Sequence, residues 1–149
     1  MLESHARILV VEDNEDNMTL IAYLLRAHGF FPELAYSGAD GIALALEHRP
    51  QLILLDILMP EMDGYEVATR VRGYPELAET RIVAVTASAM VGDRERIVAA
   101  GFDGYIQKPI DPERFIGEVQ RFLPAERARE TAGPRPRPSS ATTAPRTAS

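Results

Sequence analysis

Three short, nearly unbroken apolar runs constrain this chain most: "RILVV" at residues 7–11, "QLILLD" at 51–56 and "RIVAVT" at 81–86. A strand with one face in water alternates apolar and polar residues. A continuous run is what a parallel strand covered on both faces requires. "FPELAY" at 31–36 and "GYIQ" at 104–107 are weaker strand candidates and bring the total to five. Helix-length segments separate them. Met18, Ile21, Ala22 and Leu25 recur at helical spacing, and Gly29 is a stop signal. Ser37 is placed to cap a second helix, with Asp40 in its first turn. "GYEVATRVR" reads as the third helix, and "VGDRERIVAA", stopped by Gly101, as the fourth. Asp111 followed by Pro112 opens the fifth, "PERFIGEVQRFL". Five β-α repeats predict an α/β fold: a doubly wound, five-stranded parallel sheet with right-handed crossovers.

The 149 residues suit one domain plus some excess. We expect the folded domain at 1–123 and a disordered tail at 124–149, where "GPRPRPSSATTAPRTAS" has no apolar periodicity. The tail carries five arginines against two glutamates in a chain of net charge −6, so the body is strongly acidic. Such a body is a poor match for a phosphate backbone, and no nucleic-acid partner is expected. There is no cysteine, hence no disulfide framework or thiolate metal site. Apolar runs of no more than six residues fall far short of a membrane span, and "MLESHAR" lacks a signal-peptide core. A cytoplasmic protein without membrane insertion is expected.

In open α/β sheets ligands gather outside the carboxyl ends of the strands, where strand order reverses. The residues there are Glu12 and Asp13 after strand one, Asp56 at the end of strand three, Thr86, Ala87 and Ser88 at strand four, and Lys108 after strand five. Lys108 is the single lysine among sixteen basic residues. Under a 2-1-3-4-5 order the three carboxylates converge, flanked by Thr86 and Lys108. Converging carboxylates repel, so one takes up a proton or a cation sits among them. Magnesium, a hard ion that accepts carboxylates, waters and phosphate oxygens, suits this set. No Gly-rich loop follows strand one, which excludes dinucleotide and P-loop readings. The chemistry suggested is phosphoryl transfer to an aspartate.

The set "VVEDN", "LLDILMPEMDG", "AVTA" and "YIQKP" closely resembles the receiver domain of bacterial response regulators, over about residues 6–123. The "VEDNEDN" and "LLRAHGF" stretches look most like its single-domain cell-cycle and phosphorelay members, and also like receivers fused to hybrid kinases. The resemblance implies the 2-1-3-4-5 order; with too little chain after residue 123 for a second folded domain, a stand-alone switch rather than a turnover enzyme is expected. It implies that Asp56 accepts a phosphoryl group from a sensor histidine kinase or a phosphotransfer protein. By the same resemblance Asp13, Asp56 and the Leu58 backbone carbonyl ligate Mg2+, with Glu12 acting through water. Lys108 and Thr86 would contact phosphoryl oxygens, and Thr86 and Tyr105 would form the switch. Ala87, Leu58 and Ser88 would govern access and phosphoryl lifetime; an apolar Leu58 cannot orient attacking water. A downstream protein would read the face of helix four, strand five and helix five, including Met90, Arg94, Tyr105 and Gln107. Asn14 and Asn17 would lie near the kinase-docking side.

Two other readings compete. One is a receiver-like binding module that works without phosphorylation; the intact acids and Lys108 oppose it. The other is an aspartyl-phosphate phosphatase. Such enzymes usually carry a second acid two residues after the nucleophile, where this chain has Leu58. His28 and His48 are expected at helix C-termini rather than as phosphodonors. Met59 and Met62 are expected to pack around a turn, and Asp63 to cap the third helix.

Overall fold

A computed structural model describes residues 6–88 and 90–124. The element order is β1 (Ile8–Val11), α1 (Glu15–Ala27), β2 (Glu33–Ala35), α2 (Gly38–His48), β3 (Leu52–Asp56), α3 (Gly64–Arg72), a 3-10 turn (Pro75–Leu77), β4 (Arg81–Thr86), α4 (Val91–Ala99), β5 (Gly104–Gln107) and α5 (Pro112–Gln120). All neighbouring strands pair in parallel, in the order β2-β1-β3-β4-β5. The expected tail, apart from Pro124, lies outside the described residues.

Successive strand residues point to opposite faces, and this divides the core in two. Ile8, Val10, Leu52, Leu54, Val83 and Val85 pack against Met18, Ile21 and Leu25 of α1 and Phe115 and Val119 of α5. Leu9, Val11, Ile53, Leu55, Ile82 and Ala84 pack on the other face against Ala45 of α2, Val67 and Val71 of α3 and Ile97 of α4. The apolar runs are continuous because both faces are covered. Full burial of a side chain of this size contributes roughly 1.5–3 kcal/mol.

The helix starts follow the expected caps. Ser37 accepts from Asp40 N at 3.1 Å, Asp63 from Glu66 N at 3.0 Å and Asp111 from Glu113 N at 3.0 Å. His28 caps the C-terminus of α1, its Nδ1 3.0 Å from the Leu24 carbonyl oxygen, and His48 is the last residue of α2. Gly29 and Gly101 take φ values of +90° and +100°, the left-handed backbone that ends a helix at little cost for glycine.

Two expectations need correction. "FPELAY" pairs over only Glu33–Ala35, as one of the two edge strands, bonded to β1 alone. The fifth helix ends at Gln120 rather than Leu123. The Phe122 ring lies against Gly104, where an added Cβ would come within 2.5 Å of it.

Candidate functional site

Parallel strands deliver every carboxyl end to the same edge of the sheet. Val11 is opposite Leu55, so Glu12 follows level with Asp56, and Asp56 is opposite Val85. Thr86 is opposite Gln107, and Lys108 comes next. Lys108 N donates to the Thr86 carbonyl at 2.7 Å, which carries the ladder one step past β5. The Lys108–Pro109 peptide is cis.

This register brings the expected carboxylates together. Glu12, Asp13 and Asp56 each offer one oxygen within 4.8 Å of the others. Glu12 is 1% exposed and Asp56 4%; Asp13 is the least buried of the three. The Lys108 ammonium stands 3.3 Å from Glu12 Oε1 and 3.3 Å from Asp56 Oδ1, bonding to the latter. Glu12 Oε2 accepts the Asn14 amide at 3.2 Å, whereas its buried Oε1 has no hydrogen bond. One ammonium thus faces two buried carboxylates. Burial and the Glu12 charge push Asp56 up to about 6 from the ordinary 3.8, although Lys108 pulls the other way.

The loop after β3 is folded back onto the strand end. Gly64 N donates to the Ile57 carbonyl at 2.8 Å, and a Cβ on Gly64 would lie 2.6 Å from the Asp56 carbonyl oxygen. Glu61 turns the loop with a φ of 67°. Leu58 N donates to Asp56 Oδ1 at 3.3 Å, while the Leu58 side chain stands 75% exposed.

Thr86 is buried on the other flank. Its hydroxyl donates to the Ser88 carbonyl at 3.0 Å and accepts the Ser88 amide at 3.1 Å. Ala87 and Ser88 are exposed. Tyr105 is opposite Ala84 on β4 and packs with the α2–α4 core, so it shares a sheet face with Thr86, two residues further on. The Arg94 guanidinium lies 5.7 Å from the Tyr105 ring centroid. Met90, Arg94 and Gln107 are exposed, as an interaction surface requires.

Asp93 was not foreseen. Its carboxylate accepts the Ser88 hydroxyl across the start of α4. The only hint in the sequence is an acid in the first turn of a helix without a capping side chain.

The hard oxygen donors, the Glu12 Oε1 that lacks a hydrogen bond and the carboxylate crowding that raises the pKa of Asp56 together fit a small divalent cation. A buried carboxylate beside an ammonium at the strand ends is the arrangement that phosphoryl transfer to an aspartate would require. The family model described as "Response regulator receiver domain" matches residues 8–120, and the chain belongs to that family. Among its relatives, the polar-differentiation response regulators DivK of Brucella anthropi and Brucella ovis are each 44% identical over 116 residues, covering 78% of this chain and 94% of theirs. The chemotaxis protein CheY4 of Vibrio cholerae superposes with a TM-score of 0.77 at 28% identity, covering 80% of this chain and 99% of that one. The receiver domain of the sensor histidine kinase PA1611 of Pseudomonas aeruginosa PAO1, solved with magnesium coordinated in its active-site cleft, gives 0.73 at 34% identity, covering 79% and 97%. Among the described residues, no helix is long and apolar enough to cross a membrane.

Proposed function

We propose that the chain is a phosphorelay switch in which Asp56 accepts a phosphoryl group from a sensor histidine kinase or a phosphotransfer protein. An Asp56 oxygen attacks phosphorus, the P–N bond to the donor imidazole breaks with its electron pair staying on nitrogen, and an acyl phosphate forms. Lys108 neutralises charge on the phosphoryl oxygens, and Thr86 donates its hydroxyl hydrogen to one of them. Asp13, Asp56, the Leu58 carbonyl and, through water, Glu12 would hold Mg2+, which supplies further charge neutralisation when bound. Thr86 and Tyr105 carry the change to the face of α4, β5 and α5, where a protein partner reads it. The start of α1, with Asn14 and Asn17, receives the donor. Ala87, Ser88 and Leu58 set access and lifetime. The working unit is residues 1–123, acting in the cytoplasm as an acceptor rather than a turnover enzyme, with 124–149 as an appended tail.

The observation that carries this reading is the single ammonium set 3.3 Å from both Asp56 and Glu12. Acetyl phosphate or phosphoramidate with magnesium should add one phosphoryl group to the intact mass, and Asp56→Asn should abolish the addition. A wild-type mass that stays unchanged would favour the binding module that works without phosphorylation.

A further inference from the structure

We infer that Asp93 is a positioning residue for Thr86 and acts through Ser88; the inference rests on the phosphoacceptor reading and deepens it. A hydroxyl has one hydrogen to give. In Thr86 that hydrogen goes to the Ser88 carbonyl, and the Ser88 amide donates back to Thr86 Oγ1. Ser88 is itself fastened, its hydroxyl donating to Asp93 Oδ2 on α4. An anionic acceptor makes that bond stronger than one between neutral groups.

The attachment of α4 gives the bond its leverage. Of Val91–Ala99 only Ile97 is buried, and Met90 at the N-cap supplies no side-chain bond. Val91 and Val98 stand 70% and 71% exposed. Beyond Ile97, α4 is held by the cation-π contacts of Arg94 with Tyr105 and of Arg96 with Tyr65; with so little apolar contact, a polar tie at its first turn adds weight to where its start rests. For Thr86 to donate to a phosphoryl oxygen on Asp56, it must release the Ser88 carbonyl. Any shift of Ser88 then works against its bond to Asp93. The resting and phosphorylated arrangements differ by that bond, and Asp93 biases the population towards rest. Asp93 lies outside the acidic cluster of Glu12, Asp13 and Asp56, so its effect on the reaction is indirect.

The test is the affinity of the magnesium-loaded protein for beryllofluoride, an acyl-phosphate mimic whose binding reports the competent population. Ser88→Ala and Asp93→Ala should each tighten binding about fivefold, the ratio expected for one net hydrogen bond. The double variant should bind no tighter than either single variant, because the same bond is lost in all three. Asp93→Asn, which keeps a neutral acceptor, should fall between. A merely structural role would lower the melting temperature without moving the affinity. Equal affinities across the variants, or effects that add in the double variant, would overturn the inference. Wild-type protein that neither binds beryllofluoride nor takes a phosphoryl group would instead overturn the acceptor reading, and this inference with it.

Discussion

Lys108 holds its ammonium 3.3 Å from Asp56 Oδ1, across a gap that separates them by 52 positions in sequence. A compact ammonium on a flexible stem reaches that point between two buried carboxylates; a broad, forked guanidinium is not its equivalent. Lys108→Arg should therefore fold normally, yet take up phosphoryl groups from acetyl phosphate more slowly, on the order of tenfold. Uptake followed by intact mass gives the rate. A Lys108→Arg protein as fast as wild type would reduce the lone lysine to an accident of composition.

Burial and the Glu12 charge push the Asp56 carboxyl up to about 6 from the ordinary 3.8. The folded state then binds more protons than the unfolded state between those values, so stability falls as pH rises through them. The favourable contribution is complete below about pH 4 and is lost by the time pH passes about 6. In metal-free buffer, the stability of wild type relative to Asp56→Asn should decline across this window and then level off. Chemical denaturation at a series of pH values measures the difference. A flat difference would mean that burial and Glu12 do not hold the proton on Asp56.

The same crowding predicts stabilisation by a cation. A metal that binds only the folded state adds about 2.7 kcal/mol at one hundred times its Kd. Magnesium should raise the melting temperature of wild type and raise that of Asp13→Asn less. The absence of a shift at concentrations that support phosphorylation would place the ion elsewhere.

Most of the site was legible because parallel topology turns distant strand ends into neighbours. Glu12, Asp56, Thr86 and Lys108 needed only five strands in the right places. Apolar runs at 8–11, 52–56 and 81–86 marked three of these places strongly, since both faces of those strands are buried. β2 was overextended because an edge strand has no comparable demand on its sequence. The link from Ser88 to Asp93 was not legible: it depends on how α4 approaches β4. Arg72 is another such case. It reaches Gly101 O, Thr80 O and Asp103 Oδ2 at 2.9, 2.7 and 2.7 Å, joining segments with no shared local pattern.

Leu58 offers an exposed apolar side chain two residues beyond Asp56, and that side chain cannot hydrogen-bond water. The acyl phosphate should be correspondingly persistent. Leu58→Asn should speed its loss severalfold, as a side-chain amide can orient attacking water. The decay of the phosphorylated mass after donor removal tests this, and faster decay in wild type would refute it.

Gly64 ties the geometry of the loop to the nucleophile. Any Cβ there would lie 2.6 Å from the Asp56 carbonyl oxygen and 2.7 Å from Ile57 Cα, and both are backbone atoms that cannot swing aside. Gly64→Ala must therefore push the start of α3 away from the end of β3. Overpacking of this kind typically costs about 1–3 kcal/mol. The shift would also stretch the Gly64 N to Ile57 O bond of 2.8 Å and move the Leu58 amide that now bonds Asp56. Gly64→Ala should thus lower the denaturation midpoint and slow phosphorylation together. Val67→Ala, which shortens a buried side chain of α3 away from that backbone contact, should lower stability while changing the phosphorylation rate much less. Parallel losses of rate in both variants would show that general loosening of α3, and not the backbone contact at Gly64, controls the nucleophile.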